Sequence, residues 1–156
     1  MKTIIKLAII LLPFLGLTQT FENSQYIYEN EIEMYNEGND CSVRAIAVAY
    51  NQTYYSSMQT TYTIGREKDR GMNLSSFVKY LSRTIIDNKR ISSMEQLTTP
   101  LSVKEISNIS KYNNKNLFLV TKDHIFNYKD NVVYGNSNDY RIKDVILILE
   151  VKPFSL

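Results

Sequence analysis

The chain has 156 residues, 44% hydrophobic and 22% charged, with 18 basic residues, 16 acidic residues and one histidine. That suffices for one domain with its own core and is too little for two, and the composition excludes a disordered, collagen-like or long coiled-coil chain. The densest charged run, R-E-K-D-R at Arg66–Arg70, alternates in sign; it makes no basic stripe, which excludes nucleic acid as a partner.

At the start, Lys2 and Lys6 precede an apolar run from Leu7 to Leu17, the pattern of a secretory signal peptide. The run falls short of the roughly 20 residues that cross a bilayer, so no stable membrane span is expected once the signal is removed. Gly16, Thr18 and Thr20 offer cleavage after Thr18 or after Thr20. The expected division is a signal peptide over residues 1–20 and a single domain over 21–156, secreted or periplasmic. Loss of Lys2 and Lys6 leaves the mature chain without net charge. Exported proteins usually pair their cysteines; the single cysteine, Cys41, has no partner within the chain. It is buried filler, a link to another molecule, or a working thiol.

Gln25–Tyr35 is weakly patterned and could hold an edge strand. N-E-G-N-D at 36–40 is a turn by composition. From Cys41 onward Val43, Ile46, Ala47 and Tyr50 recur at helical spacing, with Ala45 and Ala49 beside them and Asn39 or Asp40 as N-cap. A short helix follows over N-Q-T-Y-Y-S-S-M-Q-T-T-Y, then a loop bracketed by Gly65 and Gly71. Asn73 caps a helix whose apolar face is Leu74, Phe77, Val78 and Leu81. After a polar connection, Pro100 and the capping box Ser102–Glu105 start another helix with Val103, Ile106 and Ile109 inward, ended by Asn113 and Asn114. The period then changes to that of sheet: Leu117–Thr121, Ile125–Tyr128, Val132–Tyr134 and Val145–Val151, with Asp130–Asn131 as a hairpin turn. Helices followed by strands indicate α+β, N-terminal helices with an antiparallel β-sheet packed on them.

The only cysteine opens a helix, where unpaired N–H groups and the helix dipole favour a thiolate, and the only histidine, His124, opens a strand. A thiolate beside an imidazole is an activated nucleophile toward carbonyl carbon, and a third side chain must orient the ring. Asn136, Asn138 and Asp139 are available one hairpin later. The hairpin about Asp130–Asn131 returns the chain beside His124 near residues 135–137, which makes Asn136 the first choice and Asp139 the alternative. The backbone N–H of Cys41 and the side-chain amide of Asn39 are the expected oxyanion donors. Arg44 falls on a neighbouring face, able to pair with Asp40 or hold the Gly65–Gly71 loop. One cysteine and one histidine do not complete a zinc site, so neither metal nor organic cofactor is expected.

The segment N-D-C-S-V-R-A-I-A-V-A-Y, then Tyr54–Tyr55, Gly65–Arg66 and Arg70-Gly71-Met72-Asn73, resembles the front half of small bacterial and phage papain-like cysteine peptidase domains. There a D-C-x-x-R-A helix precedes a short helix, a G-R loop and a further helix start. His124 to Tyr134 resembles their histidine strand and hairpin. The resemblance spans about Asn39 to Val151 and implies a papain-like fold, Cys41 as nucleophile, His124 as base, and a peptide or protein as substrate. Transglutaminase-like or deamidase-like acyl transfer uses the same chemistry, and a silent peptide-binding domain is the non-enzymatic alternative. Three features depart from the family: Asp123 stands where glycine is usual, Gly135 stands where the orienting acid is expected, and the C-G-S-C-W-like signature of papain is absent.

Overall fold

A six-stranded sheet in the order β1-β5-β4-β3-β6-β2 forms the middle layer of the computed structural model, which describes residues 20–136 and 139–155. The strands are β1 (Thr20–Asn23), β2 (Lys89–Leu101), β3 (Asn116–Val120), β4 (Ile125–Lys129), β5 (Val132–Gly135) and β6 (Val145–Pro153). The helical segments are α1 (Ser24–Ile27), α2 (Glu29–Tyr35), α3 (Cys41–Tyr50), α4 (Tyr54–Thr63), α5 (Leu74–Leu81) and α6 (Val103–Asn108). Residues 1–19, which hold the expected signal peptide up to its last residue, lie outside the described residues.

The α+β class is as the sequence indicates, but the sheet is mixed. Neighbouring strands run antiparallel except β1, which lies parallel to β5 with Thr20 opposite Val132 and Asn23 opposite Gly135. Two strands sit outside the expected pattern of helices followed by strands. β1 precedes every helix, and β2 occupies the stretch read as a polar connection, taking in Pro100. β2 is a sheet edge with only scattered inward side chains, so its sequence shows no two-residue alternation, and a proline near its end is tolerated there.

Gln25–Tyr35 is helical rather than a strand. Tyr28, Ile32 and Tyr35 recur at helical spacing and pack against Val43, Tyr54 and Met58 of α3 and α4, and Glu29 and Glu31 suit the first turn of α2. The tertiary pairing of this apolar stripe outweighs the weak local pattern.

The core lies on both faces of the sheet. Ala45, Ile46, Ala49 and Tyr50 of α3 and Phe77 and Leu81 of α5 meet Phe118, Val120, Leu149 and Val151 on one face. Val103 and Ile106 of α6 meet Leu117, Leu119, Phe126 and Ile148 on the other. β3 is therefore covered twice, which accounts for its unbroken apolar run. Every residue of α3 after Cys41 is buried, and its C-terminal carbonyls find partners outside the helix. Lys129 Nζ donates to Val48 O at 3.3 Å, Asn116 Nδ2 to Ala49 O at 2.6 Å and Lys89 Nζ to Tyr50 O at 3.3 Å. Two cations at that end complement the helix dipole and fix α3 rigidly on the sheet.

Candidate active site

The turn N-E-G-N-D delivers Cys41 to the first position of α3. Asn36 and Asn39 take left-handed φ values of 47° and 49°, a conformation that asparagine tolerates. Asp40 holds the N-cap position without a side-chain cap bond, because its carboxylate is committed elsewhere. Oδ1 accepts from Arg44 Nε at 3.0 Å and Oδ2 from the hydroxyl of buried Tyr54 at 2.9 Å. The leading N–H groups of α3 therefore have no side-chain cap at the end where Cys41 sits.

The loop in front of α3 is clamped to the loop that follows α4. Arg66 Nη2 donates to Glu37 Oε2 at 2.7 Å and to Gly38 O at 3.0 Å, and the Tyr62 hydroxyl donates to Glu37 Oε1. Gly38 N–H donates to Asp69 Oδ1 at 2.8 Å, and Asn39 Nδ2 donates to Asp69 O at 3.1 Å. Asn39 thus stands on the cleft wall beside Cys41 with one amide N–H engaged by the neighbouring loop. The Glu37–Arg66–Tyr62 cluster has no counterpart among the residues singled out from sequence. Arg44, by contrast, pairs with Asp40 as expected and does not reach the Gly65–Gly71 loop.

His124 is placed by T-K-D-H, the turn between β3 and β4. Thr121 N–H donates to His124 O at 2.9 Å, and Thr121 Oγ1 accepts from the N–H groups of Asp123 at 3.3 Å and His124 at 3.0 Å, a serine/threonine turn. The imidazole stacks on Phe126 with ring centroids 5.6 Å apart. Its Nε2 lies 2.8 Å from Asp139 Oδ2, and the ring borders the same two hollows as Cys41, close enough for its charge to act on the thiol.

Asp139, the alternative orienting residue, is therefore the one on the ring, and Asn136, the first choice, is not. The hairpin forms as expected, with Lys129 opposite Val132 and left-handed φ at Asp130 and Asn131. After Gly135 the strand ends, however, Asp139 N–H donates to Asn136 O at 2.9 Å, and a 3-10 turn starts at Asp139. This folds Asp139 back over the strand end, where its Oδ2 also accepts the Asn136 N–H at 2.6 Å. The Asn136 side chain turns the other way, its Oδ1 accepting from Arg44 Nη1 at 2.8 Å. Asn138 lies outside the described residues.

Gly135 explains the departure. A Cβ there would sit 2.1 Å from Asp139 Oδ2 and 2.9 Å from Asp139 Cγ, so the acid occupies the space a side chain at 135 would fill. Gly135→Ala is expected to push Asp139 off the ring and to slow alkylation of Cys41 at pH 6 by about three- to ten-fold, as the imidazolium loses its counter-charge. A rate profile with iodoacetamide checks this.

The electrostatics favour an ion pair. Burial pushes the Cys41 thiol up, but the hydrogen bond and charge of His124, the Ile125 N–H and the Arg44 charge outweigh it, leaving the thiol below its ordinary value. Burial pushes the His124 imidazolium down, yet the hydrogen bonds to Asp139 and Cys41 and the charges of both raise its pKa to about 9. The two shifts run in the direction of a thiolate–imidazolium pair.

Two hollows meet at this pair, both touching Cys41, Gly71, Asp123 and His124. One, of about 560 Å³, is walled by Met72, Leu74, Phe77 and Ile125 and is largely apolar. The other, of about 340 Å³, is polar and bounded by Gly38, Asn39, Arg44 and Asn136. Asp123 stands exposed at their junction with no hydrogen-bonding or ionic partner for its carboxylate among the described residues. No group of three or more potential metal ligands occurs among the described residues, and none of their helices is long and apolar enough to cross a membrane. No family model, curated protein or solved structure matches this chain.

Proposed function

We propose that the protein is an exported papain-like cysteine hydrolase that cleaves an amide bond of a peptide or protein through an acyl-thioester on Cys41. The observation that carries this reading is the Cys41–His124–Asp139 array at the junction of two hollows, with the cysteine at an uncapped helix start. The thiolate attacks the substrate carbonyl carbon, and the Cys41 N–H, with the second amide hydrogen of Asn39, receives the oxyanion. His124 Nε2 faces Asp139, which leaves Nδ1 to give its proton to the departing amine. A water, deprotonated by the same nitrogen, then releases the acyl group.

Gly135 offers no side chain where an orienting acid is expected, and Asp139 fills that space from four residues later, which favours the enzymatic reading over the non-enzymatic one. Of the two cleavage positions for the signal, the one after Thr18 leaves β1 whole, since Thr20 already pairs with Val132. A fluorogenic peptide library and an electrophilic peptide probe test the reading. Wild-type protein is expected to turn over members of the library and to carry the probe on Cys41, with both lost in Cys41→Ala. A wild-type protein that neither cleaves nor is labelled sinks the hydrolase reading.

A further inference from the structure

Arg44 lies one turn along α3 from Cys41, is 6% exposed, and among the described residues its hydrogen bonds go to none of Cys41, His124 and Asp139. Its Nη1 donates both to Ser24 Oγ at 2.9 Å, just after β1, and to Asn136 Oδ1 at 2.8 Å, while Nε holds Asp40 at 3.0 Å. Asn136 passes the contact on, because its backbone N–H meets the same Asp139 oxygen that faces His124 Nε2. The chain of bonds leaves the nucleophile's helix at Arg44, crosses the loop that carries the acid and reaches the imidazole, which borders the same hollows as Cys41. We propose that Arg44 is a positioning residue: by clamping the Asn136 side chain to α3 it holds the Asn136 N–H on Asp139, and so sets the carboxylate on the His124 ring.

The need for such a clamp follows from the loop. The turn bond from Asp139 N–H to Asn136 O is internal to it and does not tie the acid to the helix that carries the thiol. A guanidinium suits the task because it offers several directed donors on a rigid plane; an ammonium is a point charge on a flexible stem. The inference rests on the cysteine-hydrolase reading of the site.

The test is the pH dependence of Cys41 alkylation by iodoacetamide from pH 5 to 9, which reads thiolate without needing a substrate. The charged groups about the pair are Asp139, Arg44 with its partner Asp40, Glu37 on the wall of the polar hollow, and the exposed Lys122 and Asp123; Asp40, Glu37, Lys122 and Asp123 are kept in every variant. Asn136→Ala leaves the Arg44–Asp40 pair and the residue-136 N–H in place and removes only the clamp. It is expected to raise the alkylation midpoint by about one pH unit, and Arg44→Met by at least as much. In an Asp139→Ala background Asn136→Ala is expected to add no more than about two-fold at any pH, and Arg44→Met only the direct loss of its charge beside the thiol. A direct effect of the Arg44 charge on the thiolate would persist in that background and be missing from Asn136→Ala. A wild-type midpoint in Asn136→Ala, or a full additive shift from that substitution in the Asp139→Ala background, overturns the proposal. If Arg44→Met fails to fold because Asp40 is left buried and unpaired, Asn136→Ala decides alone. A wild-type midpoint near the free-thiol value of about 8.5 is a different result, and it overturns the hydrolase reading together with the inference.

Discussion

His124→Ala is expected to move the alkylation profile of Cys41 to higher pH, so that it rises only above about pH 8. In the native site the imidazolium, with its pKa raised to about 9, holds the thiolate against a burial penalty that pushes the thiol the other way. Without the ring that penalty is opposed only by the Ile125 N–H and the Arg44 charge. With a pKa at or above about 8.5, the thiolate fraction at pH 6 is about 0.3%. The more basic thiolate is also the better nucleophile, with a Brønsted slope of about 0.4–0.5, so the net fall in rate at pH 6 is about ten-fold. Hydrolysis is expected to suffer more, by a further factor of about 10²–10⁴, because the ring also carries the proton to the leaving group. Iodoacetamide kinetics and peptide turnover on the same preparation separate the two effects. An unchanged alkylation profile would sink the ion pair.

Arg66→Met is expected to destabilise the fold by about 3–5 kcal/mol, the usual cost of stranding one member of a buried ion pair. The Arg66 and Glu37 side chains are 0% and 1% exposed, and Arg66 Nε and Nη1 are buried without a hydrogen-bond partner. Burial pushes the Glu37 carboxyl up, but the hydrogen bonds from Arg66 and Tyr62 and the Arg66 charge outweigh it and hold the carboxyl below its ordinary 4.5. The native contribution is therefore complete above that value and is lost as pH falls through the lower folded-state value. In the variant the sign reverses. The stranded carboxylate is pushed up, so the deficit is largest near neutrality and shrinks toward pH 4. Replacing Glu37 with leucine in the same chain is expected to recover most of the loss, because no buried charge then remains. Urea unfolding at pH 4 and pH 7 measures all three chains, and equal deficits at both pH values would contradict this account.

Two of the three members of the candidate array can be read directly from the chain. Cys41 stands out because N-E-G-N-D has turn chemistry and a helical period starts right after it. His124 stands out because no other imidazole exists, and the Asp130–Asn131 hairpin follows from residues that accept positive φ. The orienting acid was harder to place. Extending the hairpin register puts Asn136 beside His124, and only the fold-back after Gly135 replaces it with Asp139. The missing side chain at 135 is the visible trace of that fold-back, legible only once the acid's position is known. β2 was missed because an edge strand wet on much of its surface carries no apolar alternation. The Glu37–Arg66 pair escaped notice because two charges 29 residues apart leave no local pattern.

The parallel pairing of β1 with β5 bears on when the thiol becomes reactive. β1 comes from the start of the described chain and docks on the strand that leads into the acid's loop, and the Arg44–Asn136 bond spans 92 residues. Contacts of such long range carry the greatest loop-closure cost and are completed late in folding. Until then Cys41 is an ordinary thiol, without its imidazolium and poorly nucleophilic at neutral pH. The fold thus acts as its own brake: a thiol without its imidazolium reacts more slowly at neutral pH, and its full reactivity is expected only with the closed sheet.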